Sequence, residues 1–316
     1  MMHHLRRRWL HILWMTVFFT GCERDGGATE TLVITGSDTM AGLLTAWSAV
    51  FSELSPDAVI EIQASGSAAA PIALAEGTAS LGAMSRAMSA AELARFQEQR
   101  GYLPTVIPVA NDALALIVHI DNPISSLSLP EIDGIYSATQ FCGGRAYTDW
   151  RELLGAQRAG QIGLPAIEAY GRASISGSYG FFKNNALCAG DYSPRVVELP
   201  GFAAIADSVA DLENAIGYVS LGYVDSRVKL VPVRLEGDDG SANDPGLIPG
   251  APSYPLARTL YLYLSVPPDK KAPPLACEFL RFVATPVAQD RLSIEGFSAV
   301  PDLEEIIQST VFHVCD

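Results

Sequence analysis

Four clusters of small hydroxyl residues stand out along the chain: Gly36-Ser37-Asp38-Thr39, Ser65-Gly66-Ser67, Met84-Ser85-Arg86, and Arg172 followed by Ser174-Ile175-Ser176-Gly177-Ser178. Their chemistry is mostly that of donors. Ser and Thr hydroxyls offer O–H groups, and glycine lets backbone N–H groups approach a ligand closely. An arginine holds an oxyanion through two parallel charge-assisted hydrogen bonds. Taken singly, each cluster is what any helix N-cap prefers. Four of them accompanied by Arg86 and Arg172 point to an anion site instead.

The elements around these clusters are those that would gather them. Thr31–Thr35 is a β-branched run ending at Gly36, followed by an apolar periodic segment from Met40 to Leu54. Val59–Gln63 and Ser80–Met84 read as the next strands, with helices over Ala68–Glu76 and Ala90–Arg100. Ala166–Tyr170 is a strand running into Gly171-Arg172, and Gly180–Leu187 reads as a helix. Strands alternating with helices predict an α/β fold with a mostly parallel sheet. In such sheets, strand-to-helix junctions collect at one edge, and helix N-termini there present unpaired N–H groups and a partial positive charge. Val106–Ile120 is long enough to cross from one domain to another, and Tyr261–Val266 is a candidate for a second crossing. The first domain is then assembled from both ends of the chain. Short helices are expected over Leu129–Tyr136 and Trp150–Leu154, short strands over Ile216–Val219 and Val228–Pro232, a loop from Gly237 to Pro252, and closing helices over Leu275–Val283 and Pro286–Glu295.

The first residues predict export. Arg6 to Arg8 precede an apolar stretch from Trp9 to Phe19, and Thr20-Gly21 lead into Cys22. This is the pattern of a secretory signal, too short to span a bilayer. Phe19-Thr20-Gly21-Cys22 resembles a bacterial lipobox with Phe in place of the usual Leu, which makes Cys22 the expected lipid anchor and residues 23–30 a polar tether. Loss of residues 1–22 removes three Arg and no acid, so the net charge of −14 becomes −17. That balance excludes nucleic acid as a partner and leaves contact with the membrane to the lipid anchor alone. Four cysteines then remain. An even count in an exported chain suggests two disulfides, and Cys142–Cys188 with Cys277–Cys315 is the preferred pairing because each pair lies within one region. Only His119 and His313 survive cleavage, and no zinc-ligand spacing occurs, so neither a metal nor another cofactor is expected. About 290 mature residues suit two domains.

At the level of motifs the chain resembles the substrate-binding proteins of phosphate ABC transporters, which have a type II periplasmic-binding fold. The resemblance rests on Gly36-Ser37-Asp38-Thr39-Met40, Gly66-Ser67, Gly82-Ala83-Met84-Ser85-Arg86 and Arg172-Ala173-Ser174-Ile175-Ser176-Gly177-Ser178, in that order. Tyr254-Pro255-Leu256-Ala257-Arg258 resembles the return into the first lobe. The resemblance implies two lobes, residues 31–112 with 258–316 and residues 113–257, joined by two crossing strands. It implies ligand contacts from Thr39, Met40 (through its backbone), Ser67, Arg172, Ser176, Gly177 and Ser178, with Ser37 and Ser85 in the same turns. Ser178 stands where the family usually has Thr and keeps the hydroxyl. Arg86 departs from the family, where an Asp accepts the ligand's proton and so separates phosphate from sulfate. Asp38 is the expected replacement acceptor, with Arg86 pairing with it or holding the ligand.

The resemblance further implies a monomeric, cofactor-free protein of the periplasm or cell envelope that captures phosphate for an ABC permease. Binding of another oxyanion (sulfate, arsenate), or a sensing or adhesion role, leaves the same motifs. Catalysis is disfavoured. Ser176-Gly177-Ser178-Tyr179-Gly180 has Ser where a nucleophile elbow needs Gly, and no P-loop or H-E-x-x-H occurs.

Overall fold

The computed structural model describes residues 30–154, 166–235, 246–251 and 253–315. The predicted signal peptide, Cys22, nearly all of the tether and most of the Gly237–Pro252 loop lie outside the described residues. The chain runs β1 (Thr31–Gly36), α1 (Ala41–Leu54), β2 (Val59–Gln63), α2 (Ala69–Glu76), β3 (Leu81–Met84), α3 (Ala90–Arg100), β4 (Thr105–His119), β5 (Leu127–Ser128) and α4 (Leu129–Tyr136). It continues through β6 (Glu168–Arg172), α5 (Gly177–Ala186), β7 (Val197–Leu199), α6 (Phe202–Asp211), β8 (Ala215–Ser220), β9 (Val228–Val231) and β10 (Val233–Arg234). The last elements are β11 (Ala257–Leu264), α7 (Pro274–Val283), α8 (Pro286–Ile294) and α9 (Leu303–Cys315).

The main sheet has the order β2-β1-β3-β11-β4-β8-β6-β7, with β9 also paired to β4. β1 lies parallel to β2 and β3, and β6 lies parallel to β7 and β8, while β11 and β4 run against their neighbours. β4 joins the two parts of the sheet. Thr105 to Ala113 pair with β11 except for Val109, which falls at a register shift, and Leu114 to His119 pair with β8 and β9. Ala113 to Val118 are all buried, which is why the sequence there reads as a continuous apolar run rather than an alternation.

Two large hydrophobic cores flank this joint. One draws only on residues between Ala113 and Leu256, and we call it the middle core. The other combines Leu32–Ala110 with Leu260–Ile307, and we call it the end core. A small cluster around Met84, Met88, Phe96 and Tyr263 extends the latter side. Each core is pinned by a buried indole: Trp47 donates to the Ala288 carbonyl at 2.8 Å, and Trp150 to the Asn214 carbonyl at 2.8 Å. Both expected disulfides are formed: Cys277–Cys315 joins α7 to α9 within the end core, and Cys142–Cys188 lies beside α5 outside the middle core, with Cys188 exposed.

The second passage between the cores falls at the motif that resembles the return into the first lobe, and not at the other candidate, Tyr261–Val266. It lies at Tyr254–Arg258, ahead of the apolar strand: Tyr254 donates its hydroxyl to the Leu114 carbonyl at 2.8 Å, and the Leu114 N–H donates to Leu256 at 2.9 Å. Leu260, Leu262 and Leu264 are already packed in the end core, so their hydrophobicity reflects burial rather than a crossing.

Candidate functional site

Backbone contacts bring the first three hydroxyl clusters together. The Ser37 N–H donates to the Ala83 carbonyl at 2.8 Å, tying the turn after β1 to β3. The Gly66 N–H donates to the Gly36 carbonyl at 2.7 Å, tying the turn after β2 to the same place. Gly36 has φ +138°, and a Cβ there would run into the Ala83 carbonyl oxygen, so this turn needs glycine on both counts. Gly66 has φ +106°, and a Cβ there would lie 2.7 Å from the Ile175 carbonyl oxygen, across from the fourth cluster.

The fourth cluster arrives from the middle core. β6 ends at Arg172, and Ser176 caps α5 by accepting the Ser178 N–H at 3.2 Å. The helix therefore starts at Gly177, three residues earlier than its apolar periodicity suggests, because the serine cap sets the start. Three helix N-termini meet here. Thr39 Oγ1 is 3.2 Å from Ser178 Oγ, joining α1 to α5. The Ala68 N–H donates to the Ile175 carbonyl at 3.3 Å, joining the start of α2 to the same turn. A Cβ on Gly177 would collide with the hydroxyls of Ser67 and Ser85, which lie 3.2 Å apart and share the bond from the Ser85 N–H to Ser67 Oγ at 3.0 Å.

Two arginines flank this convergence. Arg172, almost wholly buried, donates to Asp38 and, at 3.0 Å, to the Pro200 carbonyl, with its guanidinium 4.6 Å above the Phe202 ring. Its backbone N–H donates to the Tyr218 hydroxyl at 3.1 Å, and burial pushes that phenol up to about 12, so it stays neutral. Arg258 is the second arginine. It donates to Asp112 from Nε at 2.9 Å and from NH2 at 2.7 Å, and from NH1 to Ser178 Oγ at 2.8 Å. Ser37 Oγ, Asp38 Oδ1 and Arg172 Nε are buried and lack hydrogen-bond partners among the described residues. Two unmatched hydrogen-bonding groups and one unmatched carboxylate oxygen, side by side, suit a ligand that both accepts and donates.

A PBP superfamily domain model matches residues 23–287. The phosphate-binding protein PstS of Pseudomonas aeruginosa is 41% identical over 284 residues, covering 88% of this chain and 86% of the relative. The chain belongs to the PstS family of phosphate-binding proteins. A second PstS, from Bacillus subtilis, is 24% identical over 278 residues, with coverage of 88% and 83%. Among solved structures, a candidate phosphate ABC transporter substrate-binding protein from Clostridium perfringens, determined with bound phosphate, superposes with TM-score 0.67 at 26% identity, covering 86% of this chain and all of that one. An ABC-type phosphate transport receptor from Vibrio cholerae superposes at 0.65 and 20% identity, over 85% of this chain and all of that one. These likenesses establish the α/β periplasmic-binding-protein-like fold.

Within this PstS-family chain, Ser37, Asp38, Thr39, Ser67, Ser85, Arg172, Ser176, Gly177 and Ser178 all lie in one place. Met40 and Arg86 differ. The Met40 side chain is in the end core, and its N–H already donates to the Ser37 carbonyl at 3.3 Å. Arg86 does not pair with Asp38; it forms a two-pronged ion pair with Glu92, at 2.7 Å for each contact, and donates to the Ala87 carbonyl at 3.0 Å. Glu92 is fixed there by the Ser89 capping box of α3, so it captures Arg86 locally while Arg172 takes Asp38. Sequence reading placed Arg258 on the returning strand and missed its contact with the site. Its partners Asp112 and Ser178 are remote in sequence: the β4–β11 register brings Asp112 to it, and the start of α5 brings Ser178.

Proposed function

We propose that the protein captures inorganic phosphate outside the cytoplasm and delivers it to an ABC importer. It acts as a binding protein and not as an enzyme. The observation that carries this reading is the cluster of unmatched Ser37 Oγ, Asp38 Oδ1 and Arg172 Nε at three converging helix starts, in a chain 41% identical to a PstS. Residues 31–112 with 258–316 and residues 113–257 act as two lobes around the end and middle cores, hinged where β4 and the Tyr254–Arg258 segment cross. Ser37, Thr39, Ser67, Ser85, Ser176, Ser178 and the Gly177 backbone serve as donors, and Arg172 adds its unmatched Nε–H. The protein works as a monomer tethered to the membrane through lipidated Cys22.

Asp38 is the acceptor that distinguishes phosphate from sulfate. Its Oδ2 is held by Arg172, which leaves Oδ1 to accept a proton from a protonated oxyanion. Fully deprotonated sulfate has no proton to offer and meets a carboxylate lone pair instead. The ion pairs Asp38–Arg172 and Asp112–Arg258 are internally balanced. Attraction for the anion therefore comes from hydroxyls, N–H groups and helix dipoles rather than from net charge.

Calorimetric titration of refolded, anchor-free protein with phosphate and then sulfate is the test. Micromolar or tighter phosphate binding with no heat from sulfate is expected. In Asp38→Asn the preference for phosphate should fall by roughly 10- to 100-fold, as loss of a hydrogen bond between charged groups implies. No phosphate binding by the wild type would overturn the function. An unchanged preference in Asp38→Asn would overturn only the role of Asp38.

A further inference from the structure

We propose that Arg258 is a positioning residue that sets the hydrogen-bond polarity of Ser178 and Thr39, so that this hydroxyl pair presents a proton, not a lone pair, to the bound anion. The inference rests on the phosphate-binding reading above. A guanidinium has five N–H donors and no acceptor. At 2.8 Å from Arg258 NH1, Ser178 Oγ can only accept, so its own proton must be directed elsewhere. Arg258 NH2 also reaches Thr39 Oγ1, at 3.5 Å, from the same side. The two hydroxyls are 3.2 Å apart and can exchange one hydrogen bond, which uses one of their two protons. The second proton is left for the ligand. Without the guanidinium, the pair is free to turn either protons or lone pairs toward the site, and lone pairs repel an oxyanion.

The arginine is built to hold this position. Arg258 and Asp112 are direct partners in the register between β11 and β4. Asp112 Oδ2 accepts both Nε and NH2 of Arg258, and its Oδ1 accepts the Ser220 hydroxyl at 2.7 Å from the end of β8. Both charged side chains are essentially fully buried, at 1% and 0% exposure, and the Phe181 ring lies 5.7 Å from the guanidinium. Because Asp112 cancels its charge, Arg258 adds little net attraction for an anion. Its effect passes through the orientation of Ser178.

A double-mutant cycle separates this role from a merely structural one. The variants are Ser178→Ala, the paired change Arg258→Met with Asp112→Leu, and all three together. The pair is replaced as a unit so that no lone buried charge remains. Phosphate Kd is measured by calorimetry, and fold integrity by ligand-free Tm. Ser178→Ala and the paired variant should each weaken binding by roughly 10-fold or more, and the triple variant should be no more than about threefold weaker than Ser178→Ala. Losses that multiply in the triple variant would show that Arg258 does not act through Ser178 and would overturn the inference. So would a paired variant within twofold of the wild type. If the paired variant does not fold, Arg258→Lys carries the same cycle, because one ammonium cannot span Asp112 and Ser178 as the planar fork does. Absence of phosphate binding by the wild type would instead overturn the parent reading, and the inference with it.

Discussion

Replacing Gly177 with alanine should block the approach of the two lobes while leaving each of them intact. An added Cβ would lie 2.8 Å from Ser67 Cβ and would also meet the Ser67 and Ser85 hydroxyls. Carbon atoms in good contact sit about 3.5–4.0 Å apart, so the segments must separate by about 1 Å. Rotating the serine hydroxyls does not relieve the contact with Ser67 Cβ, which is fixed to the backbone. Overpacking of this kind costs about 1–3 kcal/mol, equivalent to a roughly 5- to 150-fold rise in phosphate Kd. The strain exists only when α5 and the Ser67 turn are together. Calorimetry should therefore show weaker binding, while ligand-free Tm stays at the wild-type value, helped by the better helix propensity of alanine. Wild-type affinity would refute the reasoning. So would an equal loss of stability with and without ligand, which would place the strain in the fold rather than in closure.

Arg86→Ala should change phosphate Kd by less than about threefold, because Glu92 already neutralises that guanidinium and holds it by the start of α3; a larger loss by calorimetry would return Arg86 to the site. Replacing both Cys277 and Cys315 with serine opens a link between residues 38 apart. Denaturant unfolding should show a loss of about 3–4 kcal/mol by the loop-entropy estimate, with phosphate Kd unchanged, since neither cysteine touches the site. A loss below about 1 kcal/mol would mean that α9 is held to α7 by packing alone.

Much of the site is legible in the sequence because glycine turns and serine caps are local signals. Gly36, Gly66 and the Ser176 cap each mark a junction within a few residues, and the strand–helix alternation then dictates that the junctions share an edge. Some elements escape reading although their signal is present. α6 carries Phe202, Ile205, Ala206 and Val209 at helical spacing, and the apolar residues of α9 recur in the same way among acidic and polar neighbours. Two side-chain choices are not legible. Arg86 had Asp38 and Glu92 within reach of a reader, and which carboxylate it takes depends on the capping box that fixes Glu92. Arg258 sits on a strand whose partner is 146 residues away, so its tie to Asp112 exists only once β11 and β4 are in register.

The place of β11 in the sheet has a consequence for the order in which the protein is made. It lies between β3 and β4, yet it is the last strand in the chain. The middle core closes with residues no later than Leu256, so a chain delivered N-terminus first can complete its middle before its beginning. Until Ala257–Leu264 emerges, β3 and the first part of β4 are open edges, the kind of surface on which chains aggregate. Any delay after Leu256 leaves the end core without the strand that joins β3 to β4. An escort that covers those edges during export would have its effect before β11 arrives and none afterwards.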